Sequence, residues 1–150
     1  MEGLKKELYN ACVQFIRKRE ETVHQIITSN QKALISETKS SAGDKHETGR
    51  AMLQLEMEKT SQQLEGIYSM KTTLAKLKLD GTTDVVKLGN MVITDQANYF
   101  IAISMGEILI SEKKYFSVSP GSPIGRLLLG KRVNDVVVFN GKSIKIDAIQ

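Results

Sequence analysis

The chain has 150 residues, 41% of them hydrophobic and 25% charged, with a formal net charge of +4. That balance supports a buried core and excludes a wholly disordered chain, and no run approaches the ~18 apolar residues of a membrane span. Cys12 is the single cysteine, which excludes an intrachain disulfide and fits a reducing compartment. The opening MEGLKKELYNACVQFIRKRE is charged throughout and lacks the apolar stretch of a secretory leader. A cytoplasmic protein without membrane association is expected. The modest basic surplus fits a partner that carries nucleic acid, and equally a solvated basic face.

Residues 1–80 contain no proline and are rich in Lys, Glu, Gln, Leu and Met, all helix formers. Leu4, Leu8, Ala11, Phe15, Val23, Ile26 and Ala33 recur at spacings near three and four. Leu53, Met57, Thr60, Leu64, Ile67 and Leu74 do the same. Each set is a narrow apolar stripe of the kind that forms a coiled-coil seam, diluted by Thr22, Asn30, Thr60 and Gln63. Between them, Ser40, Ser41, Ala42 and Gly43 are small or turn-prone, and Gly43 suits a left-handed helix end. A short connection makes the two helices antiparallel neighbours. Helices of about 35 residues run roughly 50 Å, so the hairpin tip is expected to project into solvent.

The pattern changes after Asp80-Gly81, where the domain boundary is expected: 1–80 a hairpin, 81–150 a second domain. VVKLGNMVIT, NYFIAIS, GEILIS and YFSVS are short runs of β-branched and aromatic residues that predict strands. SPIGRLLLG, residues 122–130, predicts a short helix with Ser122 as N-cap, Pro123 at the first helical position and Gly130 as terminator. Asn140-Gly141 between two strand-like runs predicts a tight hairpin, with Val136, Val138, Ile144 and Ile146 on one face. The fold class is α+β: a long N-terminal antiparallel coiled-coil hairpin, then a small, mostly antiparallel β domain with one short helix, in a monomer.

Signals of an independent enzyme are absent. The sequence has no Gly-rich phosphate loop with a lysine, no paired cysteines and no recognisable Ser/His/Asp set. His24 and His46 are isolated, and Cys12 lies by the apolar stripe as a small packed side chain. The segment SAGDKHETGRAML places Asp44 and Glu47 three residues apart at the corner between the helices. Asp-x-x-Glu has the form of a capping box, and both acids suit a helix N-terminus. Two carboxylates at the end of a long arm also suit delivery of metal ligands into a partner's site.

The tip GDKHE and the segment SPGSPIGRLLLGKRVNDVVVF together resemble the bacterial Gre-type transcription elongation factors, GreA and GreB, over nearly the whole chain. The resemblance implies an FKBP-like β domain that docks on RNA polymerase beside its secondary channel, with Ser122, Pro123 and Ile124 in the polymerase-facing segment. It implies that Asp44 and Glu47 are the acidic tip residues that help hold a magnesium ion at the polymerase active site. There the polymerase hydrolyses the 3′ end of backtracked RNA. On this resemblance the free protein carries no cofactor and is a stimulator of the polymerase rather than an enzyme. Thr48, Gly49, Arg50 and Ala51 stand where the family has Asn-Ala-Glu-Tyr, so the tip is less acidic than usual. Alternatives are a channel-binding regulator or inhibitor without cleavage, and an FKBP-like prolyl isomerase or chaperone. Against the last, Tyr99, Phe100, Tyr115, Phe116 and Phe139 are few aromatics to line a proline pocket.

Overall fold

A computed structural model of the chain describes the backbone of residues 2–39, 43–81 and 83–150, and the side chains of residues 3–36, 48–81 and 83–150. Two long helices come first, α1 (Glu2–Lys39) and α2 (Gly43–Lys76). The strands β1 (Met91–Thr94), β2 (Asn98–Ile101), β3 (Gly106–Ile110) and β4 (Lys113–Val118) follow. The short helix α3 (Pro123–Leu128) precedes the terminal hairpin of β5 (Val136–Phe139) and β6 (Lys142–Ile149). The α+β class is thus observed. Among the described residues no helix is long and apolar enough to cross a membrane.

Contacts group the chain into two compact units: Met1–Phe15 with Thr72–Gln150, and Ile16–Lys71. The composition break at Asp80-Gly81 lies inside the first of these, which includes the start of α1 and the end of α2. Leu8 and Cys12 of α1 are both fully buried there. The Cys12 Sγ lies 3.5 Å from Ser117 Oγ on β4, and the Ser117 hydroxyl donates to the Ile103 carbonyl at 2.6 Å. Burial pushes the Cys12 thiol pKa up, against the smaller opposing effect of the Ser117 and Ile103 contacts. Lys5 is also buried, and its Nζ donates to the Leu79 carbonyl at 3.4 Å. Desolvation pushes its pKa down while the charge of Asp80 pulls it back up.

The sheet has six strands in the order β3-β4-β2-β1-β6-β5. Every neighbouring pair is antiparallel except β2 with β4, so the sheet is mixed. Its main core joins Val86, Val92, Ile101, Ile144 and Ile146 to Ile124 and Leu128 of α3. Asn140 and Gly141 have φ of 51° and 78°, the left-handed pair that a two-residue hairpin turn demands. That turn corrects one expectation. It pairs Phe139 with Lys142 and therefore Val137 with Ile144. Val137 is buried beside Ile144, whereas Val136 and Val138 are 57% and 62% exposed. Side chains alternate along the strand as expected, but the turn sets the parity.

Candidate functional site

The hairpin unit, residues 16–71, holds together along a seam. On α2 the positions Leu53, Met57, Thr60, Leu64 and Ile67 alternate spacings of four and three, a heptad pattern. Thr60 and Ile67 are buried, Leu53 and Leu64 half-buried, and Met57 is 37% exposed. On α1 the buried positions within this unit, among the described residues, are Ile16, Val23 and Asn30. Ala33, expected on the stripe, is exposed, and Phe15 is only half-buried while Ile16 is covered. The true α1 stripe is rotated from the expected one, because the antiparallel partner selects one of two nearly equal apolar faces.

A solvent-exposed ion pair crosses the helices, and two buried polar residues interrupt the seam. Lys71 Nζ donates to Glu20 Oε2 across the helices. Farther along, Asn30 and Thr60 line a cavity of about 160 Å³ together with Ile27 and Met57. The Thr60 hydroxyl turns back on its own helix and donates to the Glu56 carbonyl at 2.8 Å. The buried Asn30 Nδ2 finds no acceptor among the described residues. The pairing of position 20 with 71, and of 30 with 60, makes the helices antiparallel, as expected.

The tip follows from where α2 begins. Gly43 is its first residue rather than the terminator of α1. Asp44 and Glu47 therefore both fall on the opening turn of α2, at successive positions on one side of a helix. Their side chains lie outside the described residues, so neither capping nor ligation by them is described here; Ser40, Ser41 and Ala42 also lie outside. Next along the chain, Thr48 and Arg50 are exposed. Beside them a groove of about 690 Å³ runs between the helices, with Leu34, Gln54 and Met57 on its walls and Arg50 and Glu58 as its charged residues. Among the described residues no three His, Cys, Asp or Glu side chains come together as a metal site.

The second candidate segment is the corner before α3. Ser122 is the N-cap as expected: its Oγ accepts from the Gly125 N–H at 3.1 Å and donates to the Ser119 carbonyl at 2.7 Å. The Ser122 N–H also bonds to Ser119 O at 3.1 Å, and the Arg126 N–H reaches Ser122 O at 2.9 Å. A Cβ at Gly125 would sit 2.0 Å from the Ser119 carbonyl oxygen, so the corner closes only around glycine. Pro123 holds the first helical position. Ser122, Pro123 and Ile124 are contiguous but do not share a surface. Pro123 is exposed and Ser122 half-buried, while Ile124 is 6% exposed and belongs to the core. The residues that the corner presents outward are Gly121, Pro123 and Arg126. Arg126 was not singled out from the sequence; its place opposite Ile124 on α3 follows from helical periodicity once the core face is known.

These elements define an α+β protein that combines a two-helix hairpin with a six-stranded mixed sheet. Comparison with protein-family models and with curated proteins found no match to this sequence.

Proposed function

We propose that this protein is a Gre-type elongation factor: it binds RNA polymerase at the secondary channel and stimulates cleavage of the 3′ end of backtracked RNA. The observation that carries this reading is the position of Gly43-Asp44-x-x-Glu47. The pair falls on the first turn of α2, at the break between helices of 38 and 34 residues. At ~1.5 Å per residue the part of α1 that belongs to the hairpin unit, from residue 16 onward, runs about 36 Å, a reach suited to entering a channel. The sheet-bearing unit with its single short helix α3 supports the docking half of the reading, in the FKBP-like role implied by the resemblance.

The chemistry asked of the tip is limited. Magnesium takes oxygen ligands in near-octahedral geometry and keeps several waters. Two carboxylates supply part of such a shell, and the polymerase and RNA phosphates supply the rest. When bound, the ion generates a hydroxide nucleophile and stabilises the displaced oxygen. What this chain contributes is charge and position: two acids at adjacent helix positions, favoured there by the helix dipole. Docking in this reading falls to Gly121, Pro123 and Arg126, with Ser122 holding the corner shut and Ile124 anchoring it from within.

The test exploits the difference between capping and ligation. Asparagine serves nearly as well as aspartate at a helix N-terminus, and glutamine retains the capping-box acceptor. Asp44→Asn with Glu47→Gln is expected to change stability by less than about 1 kcal/mol. Cleavage of RNA in a stalled, backtracked complex is expected to fall tenfold or more, equivalent to about 1.4 kcal/mol of transition-state stabilisation. A second reading, occupation of the channel without cleavage, is favoured by exposed Arg50 where the family has an acid. Slowed elongation with no RNA shortening by the unmodified protein would select it.

A further inference from the structure

We infer that the free edge at β5 is a docking site for an extended acidic segment of another protein, added as a seventh strand. The inference does not depend on the proposed function. β5 ends the sheet, with β6 on one side and, among the described residues, no strand on the other. In a hairpin closed by a two-residue turn, the pair flanking the turn exchanges both main-chain hydrogen bonds, and bonded pairs then alternate. Phe139 with Lys142 flanks the turn, and Val137 with Ile144 is the next bonded pair. The main-chain N–H and C=O groups of Val136 and Val138 therefore point away from β6, along the free edge. The same two residues present their side chains at 57% and 62% exposure, and Val133 just upstream is 45% exposed.

The edge strand is short, at four residues, but lacks a second protection that sheet edges ordinarily carry. Charged residues within a strand discourage pairing by other chains. The opposite edge, β3, has Glu107 with Lys114 3.9 Å away across the ladder. β5 reads Val-Val-Val-Phe and has no charge at all. Its charges sit around it instead. Lys131 and Arg132 precede it, Lys142 follows the turn, and Lys145 lies opposite Val136; all four are exposed. Among the described residues no carboxylate forms an ion pair with any of them. The nearby acids are three: Asp135 accepts the Arg132 main-chain N–H at 2.7 Å, Asp95 accepts the Lys145 main-chain N–H at 2.9 Å, and Asp147 is exposed on β6, so the four bases keep a small positive excess.

This arrangement selects its occupant. Two outward-facing residues separated by one ask for an extended main chain, which supplies matching hydrogen bonds. The apolar strip asks for β-branched side chains in the middle of that segment. The basic residues at both ends ask for acids at both ends of the segment. A second copy of β5 meets the first two demands and fails the third, since antiparallel pairing would set the lysines and arginines of both copies side by side.

The full chain is titrated with the peptide acetyl-Asp-Glu-Val-Thr-Val-Thr-Asp-Glu-amide while its backbone amide resonances are followed. Saturable shifts centred on Val136 and Val138 are expected. The peptide with lysine in place of each acid should bind at least tenfold more weakly. Val138→Pro removes an outward N–H and no ladder bond, and should weaken binding tenfold or more with the circular dichroism unchanged. If that variant unfolds, Lys142→Glu with Lys145→Glu replaces it, with the same loss expected. Absence of shifts at β5 at millimolar peptide would overturn the inference. So would equal binding of the two peptides, or sedimentation showing a dimer whose formation shifts Val136 and Val138 without any peptide.

Discussion

The two compact units are built on different principles. The sheet-bearing unit buries a contiguous apolar core in which Val92, Ile101, Leu128 and Ile146 are completely covered. The hairpin unit buries a line of single residues that is interrupted by the polar Asn30 and Thr60, with a solvent-exposed Glu20–Lys71 ion pair crossing the helices. A close-packed core is intolerant of change. A seam with polar interruptions gives up stability and gains register, because a polar residue in a coiled-coil interface disfavours slipped pairings. Such a hairpin suits a role in which the position of the tip matters more than the strength of the arm.

The sharpest way to break this comparison is Ile124→Asp. It places a charge in the core beside Leu128, among apolar neighbours, and should cost about 4 kcal/mol or more. Urea denaturation followed by aromatic fluorescence measures it. A native-like midpoint would mean that α3 is not part of the core, and would return Ile124 to a surface role. A smaller effect comes from Cys12. Its thiol pKa is raised in the folded state, so the fold keeps a proton that the unfolded chain releases above its ordinary value of 9.0. Stability is therefore full below about pH 9 and falls as pH rises toward the folded-state value, by at most about 1.4 kcal/mol per pH unit. Comparing urea midpoints of the native protein and Cys12→Val between pH 8 and 10 should show a fall that the variant lacks. Smallest is the hairpin's own defect. Asn30→Leu removes a buried amide without an acceptor and fills part of the adjoining cavity, and should raise stability by about 1 kcal/mol. Thermal melting by circular dichroism measures it, and a lower melting temperature would show that Asn30 is satisfied and that the seam is not weak there.

The local devices were legible. Ser122, Pro123 and the Asn140-Gly141 turn act through their own backbone neighbourhoods, so short stretches of chain suffice to specify them. The hairpin was legible too, since heptad spacing survives in α2 from Leu53 onward. The buried face of β5 differs from the expected one although the information is local: counting outward from the turn pairs Val137 with Ile144. The candidate site divides in the same way. The sequence marks the corner at Ser122 and the acids at 44 and 47, while the resemblance places Ile124 in the polymerase-facing segment and the structure buries its side chain; Arg126 carries no signal of its own in the sequence.

What remained hidden depends on residues far apart in the chain. Which face of α1 is buried was decided by α2 and, at Cys12, by Ser117 more than a hundred residues away. The parallel pairing of β2 with β4 leaves no mark in either strand, because a β-branched run suits both directions. The sequence by itself determined the elements, their order and their turns, through backbone preferences and apolar period. Only the tertiary structure decided which of two similar faces is covered, that Ile124 is core while Pro123 and Arg126 are surface, and that β5 is left as an open edge. Those outcomes follow from burial against distant partners, whose contribution no local window contains.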